Sequence, residues 1–281
     1  MTTRSTSRLL LAAAAALATC AALPSAAAAG PGPEPRLPPP GAGYAGSHLP
    51  ERASFGGPLA RPSLFERRLV GPDVSMWQGC EIDWRRVRTA RRFAFAKATE
   101  GITFDDPCFA RNWARMRAAG LLRGAYHFAR PEPPIASDAR REANHYVEVV
   151  RAAGGFRRMA LPPVLDLEAS TGLSQRGLRL WIHAWVARVK ARTRRRVVVI
   201  YTGPSFWGSR VGAWAPRGTL LWAASWGSTR PRVSGFALPA WWQYTDGRVG
   251  PTPHSSPGLG AADHSVFLGS RKRLRRLGGL R

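Results

Sequence analysis

The sequence predicts an α/β fold, a modified TIM-like (β/α)5(β)3 barrel of eight strands with about five helices. Three observations point there. Short apolar runs alternate with amphipathic stretches from Leu69 onward, the pattern of βα units around a parallel sheet. The run from Leu161 to Glu168 begins apolar and acquires acids only at its end, as a barrel strand does when it carries a catalytic group at its mouth. The chain has 281 residues, 44% of them hydrophobic and 11 of them Trp, enough for one sizeable core. A flat doubly wound sheet is the competitor, but no Gly-rich phosphate loop follows the first strand candidate.

In chain order, residues 1–29 place basic Arg4 and Arg8 before an apolar stretch, Leu9 to Leu17, and a small-residue run, Ser25 to Ala29. That is the layout of a secretory signal peptide, too short and too alanine-rich for a membrane span. Export to the exterior or the cell wall follows, with lipid anchoring through Cys20 the minor alternative. Residues 30–68 are rich in Pro and Gly without an apolar period and read as a leader or linker. The barrel is assigned to 69–270 and a basic tail to 271–281.

Strands are expected at Val70 to Trp77, Phe93 to Glu100, Arg123 to Arg130, Pro163 to Glu168, Val197 to Thr202, Leu220 to Trp226, Ala240 to Thr245 and Ser265 to Gly269. Helical periodicity fits Trp84 to Arg92, Phe109 to Ala119, Asp138 to Ala153 and Gln175 to Thr193, with a short fifth helix around Ser205 to Arg210. Gly120 and Gly154 stand where left-handed C-terminal residues belong, and Asp138 and Ser174 where N-caps belong. Later connections are too short and too rich in Gly and Pro for full helices.

The net charge is +25, from 42 Lys and Arg against 17 Asp and Glu. Such a surface attracts polyanions. No helix-turn-helix, zinc-finger or RRM-like pattern turns that charge into nucleic-acid recognition, and an Arg-rich composition also arises from a high-GC genome. Once Cys20 leaves with the signal, Cys80 and Cys108 remain, a possible disulfide in an oxidising compartment. The histidines show no ligand spacing, so no metal is expected.

Side-chain alternation puts Val164, Asp166 and Glu168 on one face of their strand. Paired carboxyls suggest hydrolysis of a glycosidic bond. Collecting the polar residues at the other strand ends adds Asp73 and Ser75, then Lys97, Thr99 and Glu100, then Tyr126 and His127. Tyr201, Trp222, Trp226, Trp242, Gln243, Tyr244 and Asp263 complete the set. Acids with flat aromatic rings suit a sugar polymer.

Gly71-Pro72-Asp73-Val74-Ser75 with Gln78-Gly79 and Ile82-Asp83-Trp84, then Phe93 to Gly101 (FAFAKATEG), resembles the opening of family 25 glycoside hydrolases, the Chalaropsis-type lysozymes. Gly124-Ala125-Tyr126-His127-Phe128, Leu165-Asp166-Leu167-Glu168, Tyr201-Thr202, Trp222, Trp242-Gln243-Tyr244 and Asp263 continue the likeness in order, from about Val70 to Gly269. The resemblance implies the (β/α)5(β)3 barrel, no cofactor, and cleavage of the β-1,4 bond between N-acetylmuramic acid and N-acetylglucosamine in peptidoglycan. It implies Glu168 as catalytic acid, with Asp166, Asp73 and Asp263 as the other active-site carboxylates. Lys97, Tyr126 and Tyr201 match groove positions, and Glu100, Trp222, Trp226 and Tyr244 join them as substrate-binding candidates. Trp226 departs from the family's usual Tyr, and Ser265 from its usual Asn.

Peptidoglycan and anionic wall polymers are the expected partners, nucleic acid is not, and a monomer suits a polymer mesh. Two other function classes compete. A catalytically inactive wall-binding module would keep the groove without turnover, and a cationic polyanion binder would act through charge alone. Four carboxylates retained in so basic a chain argue against the first, and the second predicts that Glu168→Gln leaves killing unchanged.

Overall fold

The computed structural model describes residues 69–281. The signal segment at 1–29, Cys20 and the leader at 30–68 lie outside the described residues.

Eight strands close into a barrel: β1 (Leu69–Val74), β2 (Phe93–Glu100), β4 (Leu122–Phe128), β5 (Val164–Asp166), β6 (Val198–Thr202), β7 (Thr219–Ala224), β8 (Trp241–Thr245) and β11 (Asp263–Phe267). Their order around the wall is β1, β11, β8, β7, β6, β5, β4, β2, and a β1–β2 pairing closes it. All neighbours are parallel except β11, which runs against both β1 and β8. β3 (Phe104–Asp105) folds back on the end of β2, while β9 (Ser255–Ser256) and β10 (Gly260–Ala261) form a small hairpin before β11. Helices α1 (Trp84–Ala90), α2 (Phe109–Ala118), α3 (Ile135–Ala152), α4 (Gln175–Thr193) and α5 (Pro204–Arg210) follow β1, β2, β4, β5 and β6. No helix separates β7 from β8 or β8 from β11, so the last units are degenerate in the way the short, Gly- and Pro-rich connections imply.

Alternation along each strand divides the core in two. Phe93, Phe95, Val164, Val199, Trp222, Trp241 and Phe267 fill the barrel interior. Ala94, Ala96, Leu165, Ile200 and Leu221 face outward onto Trp113, Trp181 and Trp185 of the helices, where each wholly buried indole is worth about 3–5 kcal/mol against truncation to Ala. The interior admits large rings only where a neighbour lacks a side chain. A Cβ on Gly71 would lie 2.3 Å from the Phe93 carbonyl oxygen, and one on Gly124 would lie 2.0 Å from the Phe95 ring.

Several boundaries differ from the sequence expectation. β1 stops at Val74, because Ser75 and Gln78 form a capping box around a 3-10 turn at Met76–Gln78. β5 stops at Asp166, and β7 at Ala224, two residues short of Trp226. Helix α3 begins at Ile135, so Asp138 is not its N-cap. Its buried carboxylate instead accepts from Glu132 N at 3.0 Å and Trp181 Nε1 at 2.8 Å. Ser174 does cap α4, accepting from Gly177 N at 3.1 Å, and Gly120 and Gly154 are left-handed, with φ of 78° and 102°.

The segment read as a basic tail folds as a sixth helix, α6 (Arg271–Leu277). Its Leu274 is buried in the barrel interior cluster, and Met159 N donates to Gly278 O at 2.8 Å. The helix therefore plugs the end of the barrel opposite the mouth.

Candidate active site

Asp73 ends β1 one residue short of its last position, Asp166 ends β5, and Asp263 opens the antiparallel β11, which begins where its neighbours finish. Antiparallel β11 thus delivers its first residue to the same mouth, and Asp73 pairs directly with Asp263. Glu168 lies past the end of β5. Leu167 holds it there, donating its N–H to Tyr201 O at 2.9 Å while its carbonyl accepts from Thr202 Oγ1 at 2.9 Å. All four carboxyls are between 0 and 6% exposed, so the cluster is largely out of water.

Gln243, on the inward face of β8, joins them. Its Nε2 donates to Asp73 at 3.2 Å and to Asp263 at 3.2 Å, and its Oε1 accepts from Tyr201 Oη at 2.8 Å and Trp226 Nε1 at 3.1 Å. Two donors on one side and two acceptors on the other fix which way the amide points. The sequence places Gln243 among the strand-end polar residues, but it lacks the charge that marks a catalytic candidate and so receives no site role there.

Burial dominates the electrostatics. It pushes Asp73 up from 3.8 to about 7, with the Glu168 charge adding to it and the Gln243 hydrogen bond opposing it. Asp166 is raised well above the carboxylate range by burial, then by the adjacent Glu168, and among the described residues neither of its oxygens has a hydrogen-bond partner. Asp263 is likewise raised, by burial, Asp73, Asp246 and Glu168. Like charges crowded in a dry pocket cannot all ionise together, so the cluster holds protons at neutral pH. Burial and the same acids raise Tyr201, which stays a neutral phenol donor.

Lys97 lies beside the cluster, paired at 2.5 Å with Glu100. Glu100 also receives Arg130, whose Nε sits 2.7 Å from Oε1. Burial works to raise Glu100, but Lys97 and Arg130 outweigh it and hold its pKa below the usual value. This cation pair thus serves Glu100, and Glu100 braces the groove wall.

The structure gathers Asp73, Asp166, Glu168, Asp263, Lys97, Glu100, Tyr201 and Trp226 around one mouth. Tyr126 points into the barrel opposite Val164 and is 1% exposed, so it supports the groove from beneath. Trp222 corrects the expectation of a sugar platform: it is wholly buried, stacked on Phe95 with centroids 4.2 Å apart and bonded to Ser265 Oγ at 2.8 Å. Tyr244 is also corrected. It packs on the outer face with Val70, Trp242 and Val266 and donates to Pro253 O at 3.2 Å, because Gln243 takes the inward position. Trp77, unmarked as a binding residue by sequence, is 42% exposed on the turn after β1. Asp106 pins that turn, accepting from Met76 N at 2.7 Å and Cys108 N at 2.9 Å. A disulfide between Cys80 and Cys108, with Cα atoms 4.7 Å apart, staples the same two loops.

Among the described residues no cluster of His, Cys, Asp and Glu is arranged to hold a metal ion, and no helix is long and apolar enough to cross a membrane. A dry group of acids sharing protons at an open mouth can give a proton to a leaving oxygen and stabilise positive charge on carbon.

Comparison with known proteins agrees with that chemistry. The Lysozyme M1 of Streptomyces globisporus is 39% identical over 231 residues, covering 74% of each chain. The N,O-diacetylmuramidase of Arthroderma benhamiae is 30% identical, over 69% of this chain and 84% of that one. The crystal structure of the bacterial lysozyme from Streptomyces coelicolor superposes with a TM-score of 0.64 at 37% identity, over 75% of this chain and 97% of that one. Residues 72–251 match the family described as Glycosyl hydrolases family 25, and the chain belongs to that family.

Proposed function

We propose that this glycoside hydrolase is an exported muramidase that cuts the β-1,4 bond from N-acetylmuramic acid to N-acetylglucosamine, with Glu168 as its general acid. The observation that carries the reading is the desolvated set of four carboxyls tied together through Gln243. Its relatives, named lysozyme and N,O-diacetylmuramidase, supply the substrate class.

The charges of Asp166 and Glu168 are coupled, and among the described residues neither Asp166 oxygen has a hydrogen-bond partner, so one proton can serve the pair while Asp166 stays open to the substrate. With the proton on Glu168, that side chain protonates the leaving oxygen, and Asp166 is left ionised beneath it. An ionised Asp166 accepts from the substrate's acetamido N–H or orients a water. In the first case the acetamido oxygen attacks the anomeric carbon, the glycosidic C–O bond breaks, and Asp166 steadies the oxazolinium-like intermediate. Asp73, raised only to about 7 and so partly ionised at neutral pH, adds negative charge near the developing oxocarbenium carbon, and Gln243 ties it to the protonated Asp263. Trp77 offers an exposed ring at the rim for a sugar face, while the buried Trp226 anchors Gln243, and Lys97 with Glu100 fixes the wall.

The test is mass spectrometry of borohydride-reduced fragments released from purified peptidoglycan by the mature protein and by Glu168→Gln. New muramitol ends from the wild type alone support the proposal. Absence of new reducing ends from folded, wall-binding protein would make it a binding module instead. Stereochemistry of the first product separates the two routes, since inversion excludes acetamido participation.

A further inference from the structure

Among the described residues, acidic side chains gather at one end of this barrel, and Glu148 near the end of α3 is the exception at the other. Asp73, Glu100, Asp166 and Asp263 stand at strand ends facing the mouth, and Asp83 and Asp138 open α1 and α3 at that same end. Neither Asp nor Glu occurs in residues 84–99, 107–131, 149–165, 169–245 or 264–281. These stretches include every connection at the opposite end, where β2, β4, β5, β6, β7 and β8 begin and β11 finishes. That base carries cations instead. Arg157 and Arg158 are exposed on the approach to β5, Arg194 and Arg196 on the approach to β6, and Arg273 and Arg276 on α6.

These segments form one face. Arg195 donates to Phe156 O at 2.8 Å and Ala160 O at 3.2 Å, drawing the two loops together, and Met159 N binds Gly278 O just beyond α6. Between the ends of α3 and α4 lies a pocket of about 440 Å³ whose cationic lining is Arg151, Arg157, Arg192 and Arg194. Among the described residues, the one ion pair made by these four joins Arg192 to Glu148 at 3.2 Å. Repulsion is felt elsewhere on the base: burial, then Arg92 and Arg271, lower the pKa of Arg88. An arginine-rich composition explains many cations but not the scarcity of acids at one end, where Glu148 answers only Arg192. Ordinary solvated surfaces mix the two signs, and unrelieved like charge opposes the compact state. A bound polyanion removes that repulsion, and the guanidinium fork matches phosphate oxygens in pairs.

We propose that the base of the barrel is a docking face for a phosphodiester-linked wall polymer, gripped by these exposed arginines while the mouth stays free for the glycan strand. The two ends are roughly 20 Å apart, since the barrel strands other than the three-residue β5 have five to eight residues rising about 3.3 Å each, so one molecule can hold polymer and cut glycan at once. The inference rests on the peptidoglycan reading for the choice of partner.

The experiment compares sedimentation of the mature protein with sacculi that keep their phosphodiester polymer and with sacculi stripped of it by hydrofluoric acid. It uses the wild type and a variant carrying Arg157→Gln, Arg158→Gln, Arg194→Gln, Arg196→Gln, Arg273→Gln and Arg276→Gln. Wild-type binding should be at least about tenfold stronger on polymer-bearing walls, with the preference erased as salt rises from about 0.1 M to about 1 M. The variant should lose that preference and still release muramitol ends from stripped walls, which reports its fold and tests the hydrolase reading separately. Equal wild-type binding to both walls overturns the proposal whatever the variant does, as does a variant that keeps the preference. Displacement of the bound protein by duplex DNA at lower phosphate concentration than by free polymer would make the partner a nucleic acid and would equally overturn it.

Discussion

Replacing Asp73 by Asn should make the protein more stable at alkaline pH while abolishing hydrolysis. Asp73 is 3% exposed, and burial followed by the Glu168 charge raises its pKa from 3.8 to about 7. A carboxyl raised in this way holds its proton more tightly in the folded state. Its contribution to stability is therefore complete below the unfolded pKa and is lost as pH climbs through the folded one. At about 1.4 kcal/mol per pH unit, the interval from 3.8 to about 7 amounts to roughly 4 kcal/mol lost by about pH 8. Asparagine keeps the shape and an acceptor oxygen for Gln243, but it has no proton to surrender. With the neighbouring acids also adjusting, the variant should gain about 2–4 kcal/mol near pH 8 and nothing near pH 4. Urea titrations followed by tryptophan fluorescence, with the disulfide intact, read this as a midpoint higher by about 1–2 M near pH 8. A variant no more stable than wild type at that pH, or a gain independent of pH, would refute the claim that burial of an ionising Asp73 strains the fold.

Gln243→Leu should lower kcat/KM by about a hundredfold, since it strands the Tyr201 hydroxyl and the Trp226 N–H without an acceptor and takes a donor from each of two acids. The same change removes a bond that lowers Asp73's pKa, so any acid limb of the rate profile set by Asp73 moves upward; an unmoved limb would detach Gln243 from that group. Trp77→Ala should raise KM for glycan about tenfold with kcat nearly unchanged, because the exposed ring can contribute only uniform binding. Loss of the Cys80–Cys108 bridge by paired Ser substitutions should reduce stability by about 3 kcal/mol for a loop of this size, measured by thermal unfolding. Leu274→Ala, which empties the plug at the base of the barrel, should destabilise by about 2–4 kcal/mol and leave the folded enzyme's turnover unaltered.

What could be seen before the fold was known follows from what alternation encodes. Acids inside otherwise apolar strands are conspicuous, so Asp73, Asp166 and Asp263 stand out by residue type and Tyr201 by its place at a strand end. Tyr244 misleads because β8 is buried on both faces: Trp241 and Trp242 are equally apolar, and no polar partner marks the outer side. Strands of closed parallel barrels read as unbroken apolar runs for this reason. Trp222 misleads differently, since parity places it inward but says nothing of depth, and it lies beneath the acids rather than beside them. Trp77 is hidden by a capping box that ends its strand early. The closing helix is hidden by its own charges: Leu274 and Leu277 are three apart, but Arg271, Lys272, Arg273, Arg275 and Arg276 surround them and make the stretch look solvated.

A protein with a net charge of +25 should hold its carboxylates ionised, and three of the four at the mouth do the reverse. Distance and pairing account for this. The cationic base is about two Debye lengths away at physiological salt, too far for its field to reach a buried acid with any strength. The nearest cation, Lys97, does act to lower Asp166. Its ammonium, however, is held at 2.5 Å by Glu100, and burial itself works against that charge. What remains is desolvation and mutual repulsion among the acids, both of which favour the protonated forms. Desolvation and mutual repulsion thus keep the acids in possession of their protons, and the cations nearest the mouth, Lys97 and Arg130, are paired with Glu100. Moving one of the base arginines to the rim, by Ala169→Arg one residue from Glu168, should accordingly shift the alkaline limb of the rate profile downward, and a limb that stays in place would mean the proton is held by something other than this balance.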